Sequence, residues 1–173
     1  MKVFNREVRG AVWDWGDTLM RNIPGQEGPM ADWPRVEAMP GVKEVLEALS
    51  ALEVQCVATN AASSDGPKVA AALSRVGLQS FFERVFTSKD LGTKKPDTRF
   101  FETVARELGI PPSDLVSIGD KLHNDILPAK AAGMTTVYVN ADPEPAAEGN
   151  ADRIVGSLEE LAELLKKELA EAV

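Results

Sequence analysis

The sequence predicts an α/β protein, a Rossmann-like three-layer α/β/α sandwich around a parallel central sheet. Two observations carry that prediction. Short apolar runs alternate with stretches of helical periodicity along the chain, the pattern of parallel strands covered on both faces by helices. Three of those runs also end in polar residues, and open parallel sheets hold their ligands beyond the carboxyl ends of the strands. The chain has 173 residues, 44% hydrophobic and 27% charged, which suits one domain (1–173) with a full core.

Taken in order, strands are predicted at Val8–Trp13, Val54–Ala58, Arg84–Thr87, Leu115–Ile118 and Thr135–Val139, with a weaker one at Asp152–Val155. Between the first two, Val42, Val45, Leu46 and Leu49 fall on one helical face behind Pro40 and Gly41. Val69, Leu73 and Val76 make the next helix and stop at Gly77. Phe100, Phe101, Val104 and Leu108 make another, which Gly109 closes as a C′ residue. Pro128 marks the start of a helix after the fourth strand. Ser157 and Glu160 form a capping-box pair ahead of Leu158, Leu161, Leu165 and Leu169. Two segments look irregular, Arg21–Met39 and Ala141–Asn150. The first is longer than most connections, and such loops often serve as flaps.

Composition bounds the function. The net charge is −8 with no basic patch, since Lys94–Lys95 and Lys166–Lys167 are isolated pairs; a nucleic-acid partner is not expected. Cys56 is the single cysteine and His123 the single histidine, so neither a disulfide framework nor a zinc cluster is available. The Met1–Gly10 stretch lacks a signal-peptide core, and no apolar run has membrane-spanning length. A cytoplasmic protein is expected.

The strand ends bring chemistry. The first ends at Asp14, the second at Thr59-Asn60, the fourth at Gly119-Asp120, so Asp14, Thr59 and Asp120 are expected in one crevice. Asp and Asn also end strands merely because they make turns; three strands with ordered residue types favour a site. Two aspartates sharing a crevice repel unless a cation lies between them. Oxygen ligands without His or Cys suit Mg²⁺. Lys95, expected at the start of a helix, completes a set suited to phosphoryl transfer.

With these motifs in order, the chain resembles the haloacid dehalogenase-like superfamily of hydrolases. The carrying residues are Asp14-Trp15-Gly16-Asp17-Thr18-Leu19, Val57-Ala58-Thr59-Asn60, Lys95-Pro96-Asp97 and Gly119-Asp120-Lys121-Leu122-His123-Asn124-Asp125. Ala129-Lys130-Ala131-Ala132-Gly133-Met134 is also typical, and the resemblance spans about residues 8 to 165. A receiver-type signalling domain shares Asp, Thr and Lys, but the order here argues against it. The resemblance implies that Asp14 is the nucleophile and passes through an aspartyl-phosphate. It implies that Thr59 and the Asn60 amide hold the phosphoryl oxygens, with Lys95 balancing their charge. Asp14, the Gly16 carbonyl and Asp120 would bind Mg²⁺, and Asp125 would orient that shell.

One position departs from the pattern. Family phosphatases usually read Asp-x-Asp-Gly-Thr, with the second Asp as general acid and base. Here Gly16 takes that position and Asp17 the usual glycine position. Adjacent side chains point in different directions as a chain leaves a strand, so Asp17 reads as a turn or flap residue. Losing the acid is most harmful for alkoxide leaving groups and least for acyl or aryl phosphates. Residues 21–39 leave no room for a folded cap, so a capless form with a flap is expected. That argues against phosphonate cleavage and dehalogenation, which rely on a cap. The expected function is a Mg²⁺-dependent phosphohydrolase, its substrate a phosphorylated small molecule or phosphoprotein. The alternative is a catalytically weak phosphate-binding or scaffold module. A homo-oligomer whose neighbour acts as lid fits an open site. Trp33 and Met30 of the flap face either substrate, a neighbour or the core, and His123 is expected to face solvent.

Overall fold

The computed structural model describes residues 1–60 and 63–171. A small antiparallel hairpin, β1 (Lys2–Val3) and β2 (Arg6–Glu7), turns through Phe4 and Asn5 at φ 50° and 64°. Both φ values are positive, as a two-residue hairpin turn of the I′ class requires. The Glu168 carboxylate accepts hydrogen bonds from both turn amides, at 2.9 and 3.1 Å. The main sheet then begins with β3 (Gly10–Trp13) and is followed by α1 (Val42–Ala48), β4 (Val54–Thr59) and α2 (Gly66–Arg75). Next come β5 (Arg84–Thr87), a short α3 (Ser88–Leu91), α4 (Thr98–Leu108) and β6 (Leu115–Gly119). The last elements are α5 (Leu127–Ala131), β7 (Thr135–Val139), β8 (Arg153–Val155) and α6 (Leu158–Glu171).

All six strands of the main sheet are parallel, in the order β5-β4-β3-β6-β7-β8. The chain winds outward from β3 on one side, then crosses back to β6 and winds outward on the other. The crevice where the direction reverses lies between the carboxyl ends of β3 and β6, the place where such sheets bind ligands. Asp14 follows β3 and Asp120 follows β6.

Strand alternation explains the three layers. Ala11 and Trp13 enter one core with α1, α2 and α6; Val12 enters the other with Phe100, Phe101 and Ala129 of α4 and α5. Trp13 is fully buried, and its indole N–H finds the buried Gln55 Oε1 at 3.1 Å, while Gln55 Nε2 donates to the Leu46 carbonyl. A buried indole donor needs such a partner.

Element ends differ from the sequence expectation for local reasons. The first main strand starts at Gly10 because Val8 N bonds to Met1 O and Arg9 N to Asp114 O, outside the ladder. The last starts at Arg153 because the Asp152 carboxylate is spent on Thr136, accepting from its N and Oγ1. Ser157 Oγ accepts from Glu160 N at 3.2 Å, but Glu160 reaches back to Gly156 N at 2.7 Å, one residue earlier than a strict capping box. Leu169 is only half-buried. Before α5, Leu122–Ile126 forms a wide π-type turn, a conformation that tends to occur at functional sites.

Residues 21–39 contain a single short 3₁₀ turn, Met30–Asp32. The ends of the loop are tied together, Arg21 N to Glu37 O and Met39 N to Leu19 O. Trp33 and Met30 are buried in the main core, so neither is available to substrate or neighbour. Arg75 of α2 donates to the carbonyls of Ala31, Trp33 and Pro34. The loop is fastened onto the domain.

Candidate active site

Asp14 stands one residue past β3, its amide held by Ile118 O at 3.0 Å. Its Oδ1 accepts from Lys95 Nζ at 3.0 Å and its Oδ2 from Thr18 Oγ1 at 3.2 Å. The same Thr18 hydroxyl lies 3.0 Å from Asp120 Oδ1. A hydroxyl has one hydrogen, so Thr18 bonds both carboxyls at once only when one of them carries a proton. Lys95 Nζ also donates to Asp125 Oδ1 at 2.8 Å. Asp125 Oδ2 in turn accepts from Lys121 N at 3.1 Å. Lys95 and Asp125 are almost fully buried, with side chains 3% and 2% exposed.

The motif loops lock each other. Asn60 donates through Nδ2 to Lys95 O and accepts from Lys95 N through Oδ1, both at 2.9 Å. Its side chain therefore positions the lysine. Lys95 lies three residues ahead of α4 and not at its first turn; Asp97 caps that helix by accepting from Arg99 N. The Phe100 and Phe101 rings, packed edge to face, both lie 5.6 Å from the ammonium. Thr59 is buried at the end of β4, in register with Thr87. Asp14, Gly16, Thr59, Asn60, Lys95 and Asp125 line one cavity of 110 Å³, together with Lys121 and Asn124.

The carboxyls divide in their proton affinity. Burial pushes Asp14 up, but the Lys95 ammonium, a hydrogen bond shared with Asp120 and the Lys95 and Trp15 donors outweigh it, holding Asp14 below the ordinary carboxylate range. Burial, then the hydrogen bond and charge of Asp14, then the charge of Asp125 push Asp120 up to about 7. Burial raises Asp125 to about 6 against the pull of Lys95. Burial also disfavours the Lys95 charge, yet Asp14 and Asp125 outweigh it and keep the ammonium above its usual range. One lysine faces three carboxylates, and burial, with the charge of Asp14 added to it, raises Asp120 and Asp125. Oxygen atoms of Asp14, Asp120 and Asp125 lie within 4.8 Å of one another. That all-oxygen, negatively charged set fits a hard divalent cation such as Mg²⁺.

The WDWGDTL turn resolves its second carboxylate. Asp17 sits at φ 58°, and its carboxylate accepts from Asn22 N at 2.9 Å and Asn22 Nδ2 at 3.0 Å. It is engaged in a local turn and does not line the cavity beside Asp14. A Cβ on Gly16 would lie 2.6 Å from Asn22 Nδ2, so the Asn22 carboxamide already fills the space a side chain at 16 would take. At the opposite wall, a Cβ on Gly119 would meet Asp125 Cβ at 2.5 Å; glycine there is what lets Asp125 approach. His123 is exposed, with Nε2 3.5 Å from Glu144 Oε2.

Sequence reasoning passed over Thr18, Asn22, Gly119, Lys121 and the side chain of Asn60 as site residues. Thr18 had a usable signal, its spacing of four from Asp14 within one turn. Asn22 had none, because only the φ of Asp17 brings the two together.

The sequence model of a family described as haloacid dehalogenase-like hydrolase matches residues 23–139. Thr59, Lys95, Asp120 and Asp125 fall inside that span, and Asp14 and Gly16 precede it. A glyceraldehyde 3-phosphate phosphatase of Methanothermobacter thermautotrophicus is 33% identical over 99 residues, 54% of this chain and 44% of its own length. A phosphoglycolate phosphatase of Chromobacterium violaceum is 30% identical over 161 residues, 92% of this chain and 69% of its own. The chain thus spans less than half the length of the first of these relatives. A solved phosphatase of the same kind from Thermococcus onnurineus superposes with a TM-score of 0.61 at 26% identity, over 75% of this chain and 59% of that one. In the main sheet and its covering helices, no described helix is long and apolar enough to cross a membrane.

Proposed function

The chain belongs to the haloacid dehalogenase-like hydrolases, and on that premise we propose that it is a Mg²⁺-dependent phosphatase acting through an aspartyl-phosphate on Asp14. One observation carries the reading. The carboxylate of Asp14, held ionised, lines a small cavity beside Lys95 and Thr59, at the switch point of the sheet. An Asp14 oxygen bonds to phosphorus as the ester oxygen departs with its electron pair. Water then attacks the phosphorus, the bond to Asp14 breaks, and inorganic phosphate leaves a restored carboxylate.

The chain's own residues prepare this. Lys95 offsets charge on Asp14 and on the transferring group. Thr59 and the Asn60 amide receive the phosphoryl oxygens. Asp14, the Gly16 carbonyl and Asp120 would hold Mg²⁺, and Asp125, bonded to Lys95 beside Asp14, would orient that shell. When bound, the ion supplies the positive charge that Asp120 and Asp125 otherwise obtain from protons. Neither Gly16 nor the Asn22-bound Asp17 offers a proton to the leaving oxygen, which takes it from water; esters with good leaving groups are therefore favoured. The capless reading is supported by the described connections, since only a fastened loop and α1 link β3 to β4, and α2 with a 3₁₀ turn links Ser63 to β5. The relatives named above support small phosphorylated substrates.

Hydrolysis of an aryl phosphate with and without Mg²⁺, beside Asp14→Asn, tests the reading. Turnover that needs the ion and is lost in the variant supports it; equal turnover in both proteins rejects it. A second reading, a weakly catalytic phosphate-binding module, draws on Gly16 and the Asn22 carboxamide beside it. Tight binding of a phosphate analogue without turnover of any phosphate ester favours that reading.

A further inference from the structure

A cavity of 550 Å³ opens on the same rim of the sheet as the cavity beside Asp14. It is lined by Lys68, Lys89 and Lys94 with the hydroxyls of Ser63, Ser88 and Thr93. We propose that it is a subsite for a second anionic group, phosphate or carboxylate, at the far end of the substrate. The proposal rests on the phosphatase reading and deepens it.

Position comes first. Ser88 directly follows β5, which pairs with β4 through Thr59 and Thr87. The cavity therefore sits on the carboxyl rim of the sheet that carries Asp14, two strands further out. Neighbouring strands are about 4.8 Å apart, so a ligand bridging the two sites spans roughly 10 Å. The cavity is also wired to the catalytic loops. Ser88 Oγ donates to Asn60 O at 3.4 Å, and Lys94 is the chain neighbour of Lys95.

Charge comes second. The protein carries −8 overall, yet three lysines gather here against one carboxylate, Asp65. That carboxylate is already engaged, its Oδ1 accepting from Lys68 N at the start of α2. Among the described residues, neither Lys89 nor Lys94 pairs with a carboxylate, and Lys68 reaches Asp32 only at 3.9 Å. Cations left without partners on an acidic protein, over a hydroxyl-rich floor, provide charge-assisted donors for an anion. Their lack of aromatic or apolar neighbours in the cavity gives no preference for a hydrophobic tail. A sugar-length substrate with a phosphoryl group at Asp14 places its distal anion among them.

Three six-carbon probes share a 6-phosphoryl group and carry a second phosphate, a carboxylate or no charge at carbon 1: fructose 1,6-bisphosphate, 6-phosphogluconate and glucose 6-phosphate. Phosphate release is measured for the wild type and Lys89→Gln/Lys94→Gln, both on the protein surface. The doubly anionic probes are expected to exceed glucose 6-phosphate in kcat/KM by about tenfold in the wild type. The variant is expected to erase that advantage through KM, with kcat held and glucose 6-phosphate within twofold. A response from one doubly anionic probe alone identifies which anion is read. Equal changes for all three probes, or none for any, overturn the subsite. If the wild type hydrolyses none of these alkyl esters, turnover of p-nitrophenyl phosphate decides the phosphatase reading separately. Calorimetric titration with fructose 1,6-bisphosphate then decides the subsite: binding lost in the variant upholds it, and absent or lysine-independent binding rejects it.

Discussion

Restoring an aspartate at position 16 tests the account of the missing acid more sharply than any deletion. In the structure a Cβ at Gly16 lies 2.6 Å from Asn22 Nδ2 and 3.2 Å from its Cγ and Oδ1. Asn22 cannot swing aside freely, because Asp17 holds it through both its amide and its carboxamide. Gly16→Asp alone must break one of those bonds or displace the turn, at a cost of about 1–3 kcal/mol for forced overpacking. Truncating the obstacle in Gly16→Asp/Asn22→Ala removes the collision and opens the space for a carboxyl. General acid assistance contributes about 10²–10⁴ in rate; an unrefined site is expected to recover at most the lower end, about a hundredfold. The gain belongs to alkyl phosphates, whose alkoxides need a proton, and not to aryl phosphates. The assay is kcat/KM for glycerol phosphate and p-nitrophenyl phosphate with Mg²⁺, across the two singles and the double, with unfolding midpoints alongside. The stability cost of the two changes should be strongly non-additive, as for residues in contact. Equal alkyl gains in Gly16→Asp and in the double refute the steric argument. No gain in the double, with both proteins folded, refutes the claim that position 16 lacks an acid the reaction needs.

Other expectations follow from the same site. Asp120 and Asp125 are raised to about 7 and about 6, so protons compete with Mg²⁺ there; its affinity, read by tryptophan fluorescence, should climb from about pH 5 to 7.5 and then level. The sign for metal-free stability is opposite: carboxyls raised in the fold stabilise it below their unfolded value near 4, and that stability is lost as pH rises through 6 and 7. A metal-free unfolding midpoint that rises over this interval contradicts the assignment. Gly119→Ala drives a Cβ to within 2.5 Å of Asp125 Cβ, so a loss of about 2–3 kcal/mol is expected, with weaker Mg²⁺ binding; unchanged denaturation and titration curves would refute it. Arg75→Ala removes three carbonyl contacts to the 31–34 segment; about 1–2 kcal/mol of stability should go, with a red shift as Trp33 meets water and little change in kcat. A large fall in kcat would mean that the loop takes part in catalysis.

Much of the fold was legible because its signals are local and repeated. The five stronger strands appear where β-rich apolar runs lie between helix-period segments, since a strand buried on both faces has to read as a continuous apolar run. Gly109 announced the end of α4 through its left-handed conformation. The hairpin at Lys2–Glu7 escaped notice for the converse reason. Its strands have two residues each, and its turn residues, Phe4 and Asn5, are stabilised by Glu168 from the far end of the sequence. Trp33 and Met30 were undecidable from sequence, because a large apolar side chain in a long loop serves a core or a partner equally well. Burial against the sheet decides it.

The active site divides along the same line. Residues that approach one another because strands end together were readable: Asp14, Thr59 and Asp120 each close an apolar run. Residues brought in by the geometry of a single turn were not. Asp17 is the clearest case, since it directly follows Gly16 and stands three residues from Asp14, yet its carboxylate is spent on Asn22. Its positive φ aims it at Asn22, and Asn22 then occupies the side of Gly16 that an acid would use. On the phosphatase reading, the transposition of Gly and Asp is a coupled change and not a lost residue, since the carboxylate at position 17 braces the Asn22 carboxamide. On that reading, a site arranged this way keeps the nucleophile, the lysine and the metal carboxyls while giving up proton donation, so its rate should follow the leaving group's acidity more steeply than that of an enzyme carrying the acid.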